Sequence, residues 1–195
     1  MRPLKAFIVF AFVSSLWFGV SHATMLERWD TNRLTKESKS IQIGEVLTKW
    51  SSWDPEKKMV YTYIRMRVDS TIKGKKQEEV LFRQPGGQSN GIGMVVHGVA
   101  NFRQGERVLV FLGVSEDGAP TPVGLAQGKF RLYKSQLTGE DMALFRAPKN
   151  VEFLVRGEQG QQTHVVESHD EQRIPLKVLV QEIQSAMGGE ANVAY

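Results

Sequence analysis

The sequence predicts a mainly β protein: a small antiparallel barrel with a short N-terminal helix and a C-terminal helix. Three observations carry this. Within residues 59–72, Val60, Ile64, Met66 and Val68 share one parity and Tyr61, Tyr63, Arg65 and Arg67 the other, the period of a half-buried strand. Several further short runs rich in Val, Ile, Leu and Phe are separated by Gly, Pro and Asn, the spacing of an all-β fold. From Pro175 onward, apolar residues recur at three- and four-residue steps instead, which is the period of a helix.

The elements follow in order. Residues 1–23 read as a secretory signal. Arg2 and Lys5 precede an uncharged apolar run from Ala6 to Val20, and Ser21-His22-Ala23 places small residues for a cut after Ala23. That run is shorter than the roughly 20 residues a spanning helix needs. The expectation is an exported protein, periplasmic or secreted, with no stable membrane anchor after cleavage. A lipid-anchored form needs a cysteine just after the apolar run, and none stands there. Thr24-Met25-Leu26-Glu27 has the form of a capping box and predicts a helix over about 24–36. Ile41 and Ile43 alternate with Gln42, and Val46 resumes out of phase after Gly44, so a bulged strand is predicted. A polar connection over 50–56 leads to the clearest strand. There Val60, Ile64, Met66 and Val68 share one face and Tyr61, Tyr63, Arg65 and Arg67 the other.

Lys73 to Lys76 is a turn into a strand at Glu79–Arg83, and the Gly-rich segment 86–104 is loop. Val108 to Leu112 is apolar at every position, the mark of a strand buried on both sides. Pro120–Ala126 and Lys129–Tyr133 read as strands, the second turned back against Met142–Phe145 by Thr138-Gly139-Glu140. The polar segment 158–173 reads as a flexible connection. Pro175 opens a helix to about Met187, with Leu176, Leu179, Val180, Ile183 and Met187 on one face and Gly188-Gly189 after it. Residues 24–187 thus form one predicted domain, and 188–195 a frayed tail.

The order Ile41-x-Ile43-Gly44-x-Val46, Tyr61-Thr62, Val68 with Lys73-Gly74, and Gly105-Glu106-x-Val108-x-Val110-Phe111-Leu112 resembles the netrin-like modules. These include the tissue metalloprotease inhibitors and have an OB-fold barrel as their core. The resemblance is closer still to uncharacterised exported bacterial proteins with the same strand series, and it covers about residues 40–134. It implies an OB-like barrel. The inhibitors of that family act through an N-terminal cysteine that reaches the catalytic zinc. The chain has no cysteine, so that mechanism does not carry over.

Composition narrows function further. The chain of 195 residues is 41% hydrophobic and 24% charged, which excludes collagen and wholly disordered classes. Zero cysteine excludes thiolate catalysis and Cys-ligated metals. The formal charge of +4 includes Arg2 and Lys5, and what remains after residue 23 is too small to argue for nucleic acid.

Among candidate chemistries, His164, Glu167 and His169 form the densest set of metal-ligand types. Their spacing is poor: in a strand His164 and His169 point to opposite faces. They carry the alternative reading, a metal-dependent enzyme. Gly86-Gly87 and Gly91-x-Gly93 lack the third glycine and flanking elements of a nucleotide fingerprint. His97 stands alone, and no Gly-x-Ser-x-Gly elbow exists. Asp54/Glu56 and Glu140/Asp141 sit in predicted turns, where turn chemistry explains them.

Trp50, Trp53, Tyr61, Tyr63, Arg65 and Arg67 remain as a candidate contact surface, since small barrels bind ligands on aromatic faces. The sequence therefore predicts a non-catalytic binding or accessory module for a protein or glycan, with no cofactor. A structural partner of a surface assembly or of an exported protease is the third reading.

Overall fold

The computed structural model describes residues 24–148, 151–156, 162–166 and 171–188. The predicted signal, Glu167, His169 and residues 189–195 lie outside them. The chain is mainly β. Strands β1 (Thr24–Glu27), β2 (Ser40–Asp54), β3 (Met59–Lys73), β4 (Glu79–Pro85), β5 (Gly87–Ser89), β6 (Ile92–Met94), β7 (Arg107–Val114), β8 (Pro120–Pro122), β9 (Lys129–Lys134), β10 (Asp141–Arg146), β11 (Val151–Arg156), β12 (Gln162–Val166) and β13 (Glu171–Pro175) are joined by two helices, α1 (Thr31–Glu37) and α2 (Leu176–Ala186). No described helix is long and apolar enough to cross a membrane.

The main sheet is antiparallel and runs β13-β10-β9-β7-β2-β3-β4, with β8 paired to the far half of β7. Strands β2, β3 and β4 form a meander, and β7 returns beside β2, which is a Greek key. The sheet does not close: among the described residues no ladder joins the ends of this path, so the predicted closed barrel is not formed.

The bulge predicted at Gly44 is present. The pairing of β2 with β3 shifts between Ile43 and Gly44 and again between Val46 and Thr48. A Cβ on Gly44 would stand 2.0 Å from the carbonyl oxygen of Arg67, so only glycine fits this close approach. The shift of phase has a packing consequence. Ile41 and Ile43 enter a core with Leu34, Leu109, Phe111, Phe130, Phe145, Phe153, Leu179 and Ile183. Val46 enters a second core with Ile64, Met66, Val80, Phe82, Phe102, Val108 and Val110. Strand β7 separates the two cores and feeds both, which is why all its central residues are apolar.

Five expectations about these elements are corrected. Residues 24–27 are not helical. They pair in parallel with β11, placing Leu26 opposite Phe153, and the cap passes to Asp30, whose carboxylate accepts the Arg33 N–H at 2.7 Å. Tertiary pairing outweighs the local capping pattern.

Pro120–Ala126 is extended only to Pro122. Gly124 and Leu125 take positive φ, of 60° and 59°, and begin a 3-10 turn. Segment 158–173 is not all connection, because it supplies β12 and β13. The latter is an edge strand, and edge strands are often charged. The Gly-rich loop 86–104 contains the β5–β6 hairpin, turned by Asn90 and Gly91 at φ 50° and 77°, the two-residue turn that needs positive φ at both positions.

The connection predicted over 50–56 is strand as far as Asp54, because β2 continues in register with β3 and pairs Trp53 with Val60 and Asp54 with Met59. Strand β9 turns back against β10, and α2 buries Leu179, Val180 and Ile183.

Candidate functional site

The candidate surface is the outer face of β2, β3 and β4. Residues opposite one another in an antiparallel ladder share a face. The register sets Trp50, Tyr63 and Arg83 in one row and Thr48, Arg65 and Leu81 in the next. The inner face of the same strands carries Val60, Ile64 and Met66, all fully buried. This burial on one side alone is what fixes which residues face out.

The Trp50 ring stacks on Tyr63, with centroids 5.5 Å apart and planes at 12°. Trp50 is nevertheless 44% exposed, and Leu81 beside it is 48% exposed. Tyr61 and Tyr63 are half-buried, and Arg65 and Arg67 are exposed. Trp53 is separated from this group. It pairs with Val60 and lies on the opposite face of the sheet, half-buried. The structure thus brings together five of the six predicted residues.

Sequence reasoning missed Arg83, which organises the face. Its guanidinium lies over the Tyr61 ring at 4.1 Å and donates to Tyr63 Oη at 3.5 Å. It also pairs with Asp117 and stands 3.9 Å from Asp54. The alternation of Val80, Phe82 and Gln84 with Leu81 and Arg83 held the signal for this orientation. Asp117 comes from the turn between β7 and β8, where it also binds Lys57 and accepts the Ser115 hydroxyl at 2.6 Å. Bonds from Lys57, then from Ser115, Arg83 and the Ala119 N–H, hold its carboxyl well below the usual carboxylate range.

The sign of the resulting pH effect follows. A carboxylate whose pKa is depressed in the folded state stabilises that state above its unfolded pKa of about 3.9, and loses the contribution as pH falls. Replacing Asp117 with Asn is expected to lower stability at neutral pH. It should also flatten the fall in stability between about pH 5 and pH 1, read from urea unfolding across that range.

The arginines of the face are not free charges. Arg67 pairs with Glu45 at 2.7 Å and Asp69 at 3.6 Å, and Arg65 stands 3.9 Å from Glu79. The surface is therefore aromatic with balanced charge, unlike the uncompensated stripe that phosphate backbones require.

No group of three or more His, Asp or Glu side chains suited to a metal occurs among the described residues. His164 lies in β12, and its proposed companions Glu167 and His169 are outside the described residues. The chain matches no protein-family model, no curated protein and no solved structure.

Proposed function

We propose that the chain is an exported, non-catalytic binding or accessory module that holds a glycan or protein ligand on the outer face of β2–β4. The observation that carries this reading is the stacked Trp50–Tyr63 pair, well exposed at Trp50 with Leu81 alongside. Stacking fixes the ring before any ligand arrives, so little side-chain freedom is lost on contact. A flat indole face suits a sugar ring or an apolar side chain equally, and the neighbouring Arg65 offers a hydrogen-bonding rim.

Export is supported by the tripartite pattern of residues 1–23. An OB-like barrel is supported by the bulged β2, the Greek-key order and the approach of β8 to β4, whose Cα atoms come within 8 Å. In that reading the barrel is left open along the seam between them.

The test is capture by untagged protein from its native host, run beside titration with soluble oligosaccharides followed by tryptophan fluorescence. Trp50→Ala is expected to weaken whatever ligand is found by about tenfold or more, as for a central aromatic anchor. Arg65→Ala should weaken it less. An interaction unchanged by both substitutions would overturn the proposed surface.

A further inference from the structure

A second cleft, of about 420 Å³, lies away from the aromatic face, between β9–β10 and the segment 99–106. None of the outer-face residues lines it. Its walls carry Arg103, Lys129, Arg131 and Arg146, with Ala126 and Leu144 supplying apolar surface. Among the described residues Glu106 is the one carboxylate in the lining.

The carboxylates near the cleft are already committed. Glu106 pairs with Lys129 at 2.8 Å and accepts the Arg103 N–H at 3.1 Å. Arg146 pairs with Glu171 at 2.7 Å. Arg103 and Arg131 have no acidic partner among the described residues, and their positive charge depresses the Lys129 ammonium further after burial itself has done so. Elsewhere on this protein, on the outer face of β2–β4, arginines are matched by carboxylates. Here two arginines line one concave surface, and neither is paired with a carboxylate among the described residues.

We propose that this cleft binds a tetrahedral oxyanion, the phosphate or sulfate group of a small ligand. Two guanidinium forks offer about ten N–H donors, whereas a carboxylate has about four lone-pair sites. A tetrahedral dianion uses that excess of donors and charge better, and it accepts bidentate pairs from both arginines. The volume leaves room for the body that carries the group, against Ala126 and Leu144. Because Lys129 is held by Glu106 and by the Asn101 carbonyl, it contributes field, while Arg103 and Arg131 supply the contacts.

The experiment titrates the full chain with inorganic phosphate and, separately, with inorganic sulfate, by calorimetry at low ionic strength. Saturable binding of at least one anion is expected, weakening as salt screens the charges. Arg103→Gln and Arg131→Gln should each weaken it by about tenfold or more, the worth of a charge-assisted contact. Arg131→Lys should recover part of the loss, since charge returns without the fork. Exposed Lys36 on α1 provides the control, and Lys36→Gln should bind as the parent does.

The two sources separate by pH. Binding of inorganic phosphate strengthens as its second proton leaves near neutral pH, somewhat above the value for a phosphate ester, whereas sulfate binding stays level. Equal urea midpoints for parent and variants will show that loss of binding is not loss of fold. No saturable binding of either anion, or binding that survives both glutamine substitutions, would overturn the assignment.

Discussion

Phe111→Ala is expected to destabilise the protein by about 3–5 kcal/mol, the range for removing a large buried aromatic. Phe111 is fully buried on β7, opposite Ile41 of β2. Its ring stands 6.1 Å from Phe130, which is 6.0 Å from Phe145, which is 6.2 Å from Phe153. These four rings run from the centre of the sheet to β11, so the hole would open in the middle of a continuous aromatic path.

The neighbours are held by ladders on both sides of β7 and have little freedom to collapse into the space. Cavity cost adds to the lost transfer energy when collapse is prevented. The measurement is a fall in urea midpoint with unchanged slope. A loss below about 1 kcal/mol would mean that this core relaxes around the gap.

How this core and the outer face could be read in advance depended on burial geometry. Strand β3 is buried on one side, so its sequence alternates, and the faces of Val60 and Tyr61 were legible. Strand β7 lies between two cores, so it shows no alternation, and that absence was itself a signal. The bulge at Gly44 was legible because a phase slip in a strand has few other causes.

Trp53 is instructive. It stands three residues after Trp50, an odd step that puts it on the other face once β2 is known to extend to Asp54. Read as part of a connection, the two rings had no such constraint. Strand β1 was hidden because its partner is far along the chain and its own four residues resemble a helix start. The Arg83–Asp117 contact was hidden for a similar reason. One partner sits in a turn, where an Asp is explained by turn chemistry, and nothing local marks the contact across the fold.

Glu106→Gln should have an effect of similar size to Phe111→Ala, with a dependence on pH that a packing defect lacks. The Lys129 and Glu106 side chains are 11% and 9% exposed, and their charged atoms are 2.8 Å apart. Lys129 also rests over the Phe102 ring at 4.8 Å. Burial pushes the Lys129 ammonium below its ordinary pKa, and Glu106 opposes that shift without cancelling it.

Removing the carboxylate's charge leaves the ammonium buried beside Arg103 and Arg131 with no counter-ion. Breaking a buried pair in this way costs about 3–5 kcal/mol. A lysine whose folded pKa is depressed imposes its full penalty below that folded pKa. The penalty disappears as pH rises towards the unfolded value of about 10.4. The deficit of Glu106→Gln relative to the parent is therefore expected to be large at neutral pH and to shrink in alkaline solution, whereas the deficit of Phe111→Ala should not follow this titration.

The double variant Glu106→Leu with Lys129→Met removes both charges and should regain most of the loss, because apolar replacements for a buried pair are often neutral or better. Urea unfolding of the three variants at neutral and alkaline pH measures each term. A cost for Glu106→Gln under about 1 kcal/mol at neutral pH would place the pair with ordinary surface bridges. It would also mean that water reaches Lys129 more freely than its packing over the Phe102 ring allows.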